Sequence, residues 1–579
     1  MIVSHLSTYL QQLESTASRN SMTEILAKLF TEATPEEIGA ICYLLQGRVA
    51  PLYEAIEFGL ADKFAIRAIA ASSGETAENV VAAFKKNGDL GKAAELLHKG
   101  SGGRVTVLEF FAMLKEIAMA GGEGSQERKI SLLATLLSRV DGLSSRYAVR
   151  IPLDKLRLGF SDMTILDALS WMLAGNKSLR PRLEDAYNVR PDIGLLAETV
   201  RAKGVAGLHA VHARVGSPVL AALCQRLPTA DDMIKKMGVV AVEPKYDGVR
   251  VQIHFKRNGF SKDAHETVRS FSRNLEQTTA MFPELLRLGS ELHADDVILD
   301  AEAIGFDPKT GKFFPFQETM TRKRKHNIEE SSSAVPIVFF VFDILYKDGK
   351  DLLAMPLKDR RTILEKTVRP KHVTSVSPQI ITDNADTLRQ YHDEQLKKGL
   401  EGAVVKKWDS PYEPGRKGFS WVKFKEEEGK DGKLTDTIDA VVMGYYVGEG
   451  KRTGFGIGAF LVGVPDKDRI VTLTKIGTGV SDALWKELFS ELNTMRVSEK
   501  PKRYADVNKV FIPDVWIDPK LVVEIAGDDL TKSSTHGAGF AVRFPRLVRI
   551  RRDKGPAQAT TVAEITAMFR GQTASHSKE

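Results

Sequence analysis

The stretch Glu243-Pro244-Lys245-Tyr246-Asp247-Gly248-Val249-Arg250 sets one lysine between two carboxylates and beside a turn dipeptide. It follows Val239-Val240-Ala241-Val242 and runs into Val251-Gln252-Ile253-His254-Phe255, so it reads as a strand end that turns and restarts. Strand alternation puts Glu243 and Lys245 on one side, and Asp247-Gly248 lets the backbone bend close to a ligand. A lysine so held is a candidate covalent nucleophile, provided its neighbours lower its pKa. Taken alone, a surface lysine beside a hairpin turn is the simpler reading.

The neighbours come from four other segments. Val297 to Ile304 reads as a strand whose parity puts Asp300 and Glu302 on one face, a costly arrangement for carboxylates unless a cation or metal pairs with them. Pro336 to Phe342 is a nearly continuous apolar strand ending at Asp343. Leu400-Glu401-Gly402-Ala403-Val404-Val405-Lys406-Lys407 is a core strand reached through an acidic residue and a glycine. In Trp421-Val422-Lys423-Phe424-Lys425 the alternation sets Lys423 and Lys425 side by side. Two lysines aimed at Lys245 would depress its pKa, and the carboxylates could hold a divalent cation. The competing reading is a set of exposed strand charges; recurrence over five strands argues against it.

The elements that must position these groups change character along the chain. Its 579 residues suit several domains, and 43% hydrophobic with 27% charged residues suits ordinary globular cores. A net charge of +7 favours an anionic partner, nucleic acid before membrane. The two cysteines, Cys42 and Cys224, lie too far apart for a zinc motif and indicate buried thiols in a reducing compartment. No signal peptide is expected, and the longest apolar run, Val335 to Phe342, cannot span a bilayer.

Residues 1–225 read as successive helices: Thr34-Pro35-Glu36-Glu37 is a capping box, and Asp89 starts a helix that Gly100 would stop. Arg146, Arg150, Lys155 and Arg157 lie among apolar residues ahead of a capped helix at Ser161, a pattern that suits either a phosphodiester backbone or a solvated helical face. From about residue 235 strands dominate, with a hairpin expected at Asn258-Gly259. Glu426 to Thr435 is charged and glycine-rich, as in a hinge. Short strands of a small barrel follow at 438–447, 458–464, 470–476 and 521–525. The run Gly454-Phe455-Gly456-Ile457-Gly458 fits neither a dinucleotide fingerprint nor a P-loop. Arg543 to Lys554 packs six cations into twelve residues, a phosphate-binding stripe or a charged edge strand.

In this order the motifs resemble those of the ATP-dependent DNA ligases, the archaeal type of the covalent nucleotidyltransferase superfamily, over nearly the whole chain. Lys245-Tyr246-Asp247-Gly248 is similar to the family's KxDG, which implies that Lys245 takes AMP; Glu243 and Arg250 beside it are implied nucleotide contacts. Arg273 in Ser272-Arg273-Asn274 resembles the arginine over the nucleotide and 5′-phosphate, Glu302 the ribose contact and Phe342 the adenine-stacking ring. Glu401-Gly402 resembles the metal-binding motif, with Glu302 as a second metal ligand; Lys423 and Lys425 resemble the pair beside the α-phosphate, and Arg416-Lys417 the basic turn before it. Arg551 and Lys554 resemble the residues that orient the leaving pyrophosphate. Departures are Thr321 at a position often basic in relatives, and a looser Gly216-Ser217-Pro218-Val219.

The resemblance implies a multidomain α + α/β + β chain. It consists of an all-α DNA-binding domain over 1–225, an adenylation domain of antiparallel sheets with helices over 226–426, and an OB-fold barrel over 427–579. It implies sealing of 5′-phosphate/3′-hydroxyl nicks in duplex DNA through lysyl-AMP and DNA-adenylate, in replication, repair and recombination. ATP is the implied AMP donor, with Mg²⁺ or Mn²⁺, and Arg146, Arg150, Lys155 and Arg157 are implied to grip the phosphates. A cytoplasmic prokaryotic monomer working on the nucleoid is expected, with a sliding clamp as a candidate partner. An RNA ligase or capping-type nucleotidyltransferase shares the lysine chemistry but does not normally need so large a helical clamp. A non-catalytic DNA-binding protein would leave the pocket idle, and NAD⁺-dependent ligases carry a zinc-cysteine module missing here.

Overall fold

The structure, a computed structural model, describes every residue except 17, 101, 157, 261–265, 308–309, 315–318, 320–335, 416–417, 425–436, 449, 479, 528 and 575–579. The chain forms two compact units, Met1–Lys425 and Glu426–Glu579. In the first unit, successive α-helices run from Val3–Glu14 to Ile193–Lys203 around one apolar core. Thr34 closes the expected capping box on Pro35–Leu45, and the Asp89 side chain caps Leu90–Leu97. That second helix ends at Leu97, before Gly100. Ser161 precedes Asp162–Ala174 without a side-chain cap bond.

The rest of this unit is two sheets. One has the strand order β1-β11-β10-β2-β9, built from β1 (Gln225–Arg226), β2 (Val240–Pro244), β9 (Ile380–Thr382), β10 (Ala403–Lys407) and β11 (Trp421–Phe424). The other has the order β4-β3-β5-β6-β7, with β8 (Thr374–Val376) beside β6. Its strands are β3 (Val249–Lys256), β4 (Val268–Ser272), β5 (Asp296–Gly305), β6 (Ile337–Lys347) and β7 (Lys350–Asp351). The pairings are antiparallel, as expected, apart from β1 with β11 and β6 with β8. Asn258-Gly259 does not form a two-residue hairpin: β3 ends at Lys256 and β4 starts at Val268.

Alternation gives each sheet two unlike faces. Val240, Val242, Ala403, Val405 and Val422 pack against the helices Ala230–Met237 and Ala385–Lys397. Val251, Ile253, Leu299, Ala301, Phe339 and Val341 make a separate core. The opposite faces therefore carry Glu243, Lys406, Trp421 and Lys423 on one sheet, and Arg250, Asp300, Glu302 and Phe342 on the other.

The second unit holds β12 (Ile438–Tyr446), β13 (Ala459–Asp466), β14 (Arg469–Ile476), β15 (Arg496–Val497), β16 (Val515–Ile517), β17 (Val522–Ala526) and β20 (Arg546–Ile550) in one sheet. β18 (Asp529–Lys532) and β19 (Phe540–Arg543) form a separate ribbon. Among the described residues the pairings do not close into a barrel. The helices Asp482–Thr494 and Val562–Ala574 complete the unit.

A buried imidazole fixes the chain where it enters the strands. His254 Nδ1 accepts the Gly216 N–H (2.9 Å) and Nε2 donates to Gln252 Oε1 (3.0 Å); Gln252 in turn clasps both backbone groups of Val219. Burial, with Arg269 nearby, pushes His254 down to about 3. Between that value and the ordinary 6.5 the unfolded chain binds the extra proton. The stability linked to His254 is therefore complete above about pH 6.5 and falls by ~1.4 kcal/mol per pH unit on acidification. Unfolding titrations from pH 7.5 to 4.5 should show this slope, and His254→Gln should flatten it; an unchanged slope in the variant would rule out His254 as its source.

Candidate active site

Lys245 lies just past the end of β2, and its backbone locks onto the loop entering β10: Lys245 N–H donates to Gly402 O (2.9 Å) and Glu401 N–H to Lys245 O (3.1 Å). Its Nζ donates to Glu401 Oε2. Gly402 has φ +113°, and a Cβ there would meet Phe424 O at 2.5 Å, so the turn that delivers Glu401 needs glycine. Gly248 is required by close approach, because a Cβ would fall 2.6 Å from Ala303 O and 2.8 Å from Glu302 Cγ. The two glycines thus let Lys245 past the end of β2, Glu401 in the loop entering β10 and Glu302 on β5 approach one another.

Glu302 sits opposite Arg250 across β3 and β5. Burial, together with Asp300 and Glu401, raises its carboxyl to about 7 against the opposing pull of Lys245 and Arg250. Two carboxylate side chains, Glu302 and Glu401, therefore flank the lysine. Mg²⁺ is commonly held by one or two carboxylates plus substrate phosphates and water, and the strained ionisation of Glu302 is what such a cation would relieve. Among the described residues there is no cluster of three or more acidic, His or Cys groups that could hold a metal unaided. The donor set fits a cation shared with a phosphate.

Arg250 is held by a bidentate pair with Asp300 (Nε to Oδ1 3.0 Å, Nη2 to Oδ2 2.6 Å) and donates to Ala222 O (2.5 Å). Its guanidinium lies 5.4 Å from the Phe342 ring and 5.3 Å from Trp421. Arg273 is exposed and lines the same small cleft as Arg250 and Asp300. Phe342 is half-buried, edge-on to Trp421 at 5.9 Å. Lys423 is half-buried on β11, in register with Val404. Arg416, Lys417 and Lys425, like the basic run 321–325, lie outside the described residues.

Sequence reasoning passed over several members of this pocket. Lys406 is 1% exposed, bonds Glu243 (2.8 Å) and sits 4.5 and 4.4 Å from the rings of Phe342 and Trp421. Burial raises the Glu243 carboxyl while Lys406 opposes the shift. Its parity with Val404, which faces Glu243 in register, was the available signal: a lysine in an apolar strand needs a partner. Cys224 is also here; burial raises its thiol, while Arg250, Lys406, Lys245 and Lys423 pull the other way. Asp343 is committed to a buried bidentate pair with Arg360.

In the second unit Arg551 pairs with Asp439 (3.1 Å), Glu524 (3.5 Å) and Asp553 (2.7 Å), and Lys554 bonds Asp439 (2.5 Å). Asp439 and Glu524 are register partners on β12 and β17. Both cations are thus presented from a carboxylate-lined turn rather than a bare basic stripe.

The helical cations need correction. Arg150 is 2% exposed and bonds Asp89 (3.1 and 3.2 Å) and Glu14 (3.1 Å) inside the helical core, so it cannot grip a phosphate without breaking that network. Burial works against ionising Glu14, but Arg150 and Arg146 outweigh it and hold the carboxyl low. Arg146 bonds Glu95 (2.7 Å) and Glu14 (3.2 Å), also mostly buried. Lys155 is exposed at its head and paired with Asp62 (2.7 Å). Arg157 lies outside the described residues. Interleaved apolar and basic residues produce the same pattern whether the cation faces solvent or a buried acid.

Family profiles match three stretches: "DNA ligase N terminus" over 3–170, "ATP dependent DNA ligase domain" over 218–425 and "ATP dependent DNA ligase C terminal region" over 453–554. The chain is 42% identical over 583 residues to a probable DNA ligase of Dictyoglomus thermophilum, covering 99% of this chain and 98% of that one. It is 37% identical over 602 residues to a DNA ligase of Caldivirga maquilingensis, covering 98% and 97%. The solved structure "Pmar-Lig_PreS3" shares the fold at TM-score 0.53 and 18% identity, over 94% of this chain and 99% of that one.

The internal role of Arg150 is testable. Removing one partner of a buried pair costs about 3–5 kcal/mol, so Arg150→Ala should lower the unfolding free energy of the helical region by that amount. Lys155→Ala should change it by less than about 1 kcal/mol. Chemical denaturation of both variants checks this, and a wild-type midpoint for Arg150→Ala would return the residue to the candidate DNA contacts.

Proposed function

The chain belongs to the ATP-dependent DNA ligases, enzymes that seal DNA strands at the cost of ATP, and we propose that Lys245 is the residue that carries the AMP. The observation behind this reading is the convergence of Lys245, Glu401 and Glu302, held by turns whose glycines admit no side chain.

In the first step the Lys245 amine forms a bond to the α-phosphorus of ATP as the bond to pyrophosphate breaks. The Lys245 ammonium must pass a proton to solvent and leave its ion pair with Glu401 before the neutral amine attacks. Glu302 and Glu401 would hold a divalent cation, Mg²⁺ or Mn²⁺, which would supply positive charge for the transferring phosphoryl group. Lys423, with Lys425 and the Arg416-Lys417 turn, supplies further positive charge for the transferring group. Glu243 and Phe342 receive the base, and Arg250 and Arg273 the nucleotide and the 5′-phosphate. Arg551 and Lys554, held ready by Asp439, orient the departing pyrophosphate.

In the second step AMP passes from Lys245 to the 5′-phosphate at a nick, and in the third the 3′-hydroxyl displaces it. Residues 1–225 act as the duplex-binding domain, 226–426 as the adenylation domain and 427–579 as an OB-fold domain. With Arg150 committed to the core, Lys155 and Arg157 are the better phosphate contacts of the original four. Binding there should be sequence-independent and fall steeply with salt. The enzyme works as a monomer in a prokaryotic cytoplasm, in replication, repair and recombination on the nucleoid, with a sliding clamp as a candidate partner. Among the described residues no helix is long and apolar enough to cross a membrane.

Lys245→Ala should abolish transfer of label from α-labelled ATP to the protein. A labelled band surviving denaturation in the variant would sink the assignment, and GTP or NAD⁺ as alternative donors in the same assay would reveal any other nucleotide. Arg551→Ala should slow self-adenylylation by about 100-fold, the scale for removing a transition-state charge contact. Sealing of DNA already carrying AMP should change much less; equal losses in both assays would argue against a pyrophosphate role.

A further inference from the structure

Tyr412 lies in the segment between β10 and β11, is 3% exposed, and uses all the bonding capacity of its hydroxyl. The O–H donates to Asp300 Oδ2 (2.7 Å), while the oxygen accepts the Ala222 N–H (3.0 Å) and Arg250 Nη2 (3.2 Å). Asp300 and Ala222 are also the two groups that hold the Arg250 guanidinium through their own oxygens. One phenol therefore closes both sides of the cage around Arg250. Its ring packs edge-on to Trp421 at 5.7 Å and lies 5.7 Å from the Arg360 guanidinium, so it has little room to turn.

The same segment is tied to the chain that leads in from the helices. Gly415 N–H donates to Ala221 O (3.2 Å), Leu223 N–H to Gly415 O (3.0 Å) and Asn188 Nδ2 to Pro414 O (3.3 Å). A buried hydroxyl with three partners is more than packing requires, since phenylalanine would fill the same volume. What the hydroxyl adds is a fixed direction for the Arg250 fork, whose planar donors lose strength quickly when tilted.

We propose that Tyr412 is a positioning residue for the adenylylation step: with Asp300 and the Ala222 backbone it fixes Arg250 in the orientation that receives the nucleotide. This rests on the reading of Arg250 as a nucleotide contact.

The test is a double-mutant cycle on the full-length protein: Tyr412→Phe, Arg250→Ala and the two together, read by the rate of self-adenylylation against ATP concentration. Losing a bond that orients a charged group costs about tenfold. Tyr412→Phe should therefore raise the apparent KM for ATP by roughly that factor while the maximal rate stays within about threefold. In the Arg250→Ala background the added Tyr412→Phe should have no further effect, because the group it acts through is gone. A purely structural role would instead add its loss in both backgrounds, and that result overturns the proposal. If Arg250→Ala alone leaves the KM unchanged, the nucleotide role of Arg250 falls and the proposal with it. Site-specific p-aminophenylalanine at 412 restores a donor toward Asp300 and should recover most of the affinity, also covering a Tyr412→Phe variant that fails to fold; no recovery in a folded protein counts against the proposal.

Discussion

The central region of this ligase depends on charges that must be neutralised where two sheets present their polar faces. Arg250 with Asp300, Lys406 with Glu243, and Lys245 with Glu401 are pairs in which removing one partner would strand the other in a poorly solvated pocket. Such pairs contribute little net stability, since desolvation offsets most of their attraction. What they supply is direction: each side chain has one well-compensated place to be.

Those pairs differ in their burden. Lys406 and Glu243 are almost fully enclosed and flanked by aromatic rings, so their bond also fixes the wall of the pocket. Lys245 and Glu401 are more open, which suits the nucleophilic role proposed for Lys245. Among the described residues Glu302 has no comparable bonded cation, and burial raises its carboxyl pKa. The region thus combines three ion pairs with one carboxylate whose ionisation burial opposes. In the second unit Arg551 and Lys554 follow the same rule, presented on Asp439 rather than left bare.

Much of this was legible from strand parity. Period-two alternation placed Asp300 with Glu302 on one face, and an apolar run with one acidic turn located Glu401. Lys406 could have been found by the same logic, because a lysine in a valine-rich strand needs a partner. The helical cations were harder. Arg150 and Lys155 are both basic residues among apolar neighbours, and only the fold shows that one meets Asp89 and Glu14 in the core while the other reaches the surface.

The sequence by itself determined the identity of the chemistry: a lysine at a strand end, glycines beside it and beside Glu401, carboxylates and lysines alternating with valine, and motifs in the order of one enzyme family. These are local properties, set by backbone geometry and residue type within a few positions. Tertiary structure alone decided which charges neutralise one another. Tyr412 and Arg250 are separated by 162 residues, and Lys406 and Glu243 by 163, yet each pair is in hydrogen-bond contact. Periodicity marks which side chains share a face, but not which partner they meet: that depends on which strands pair and in what register, and on which segments pack beside them. The lysine could be recognised once four other segments of the sequence were read beside it, whereas the cage around Arg250 exists only once the chain has folded.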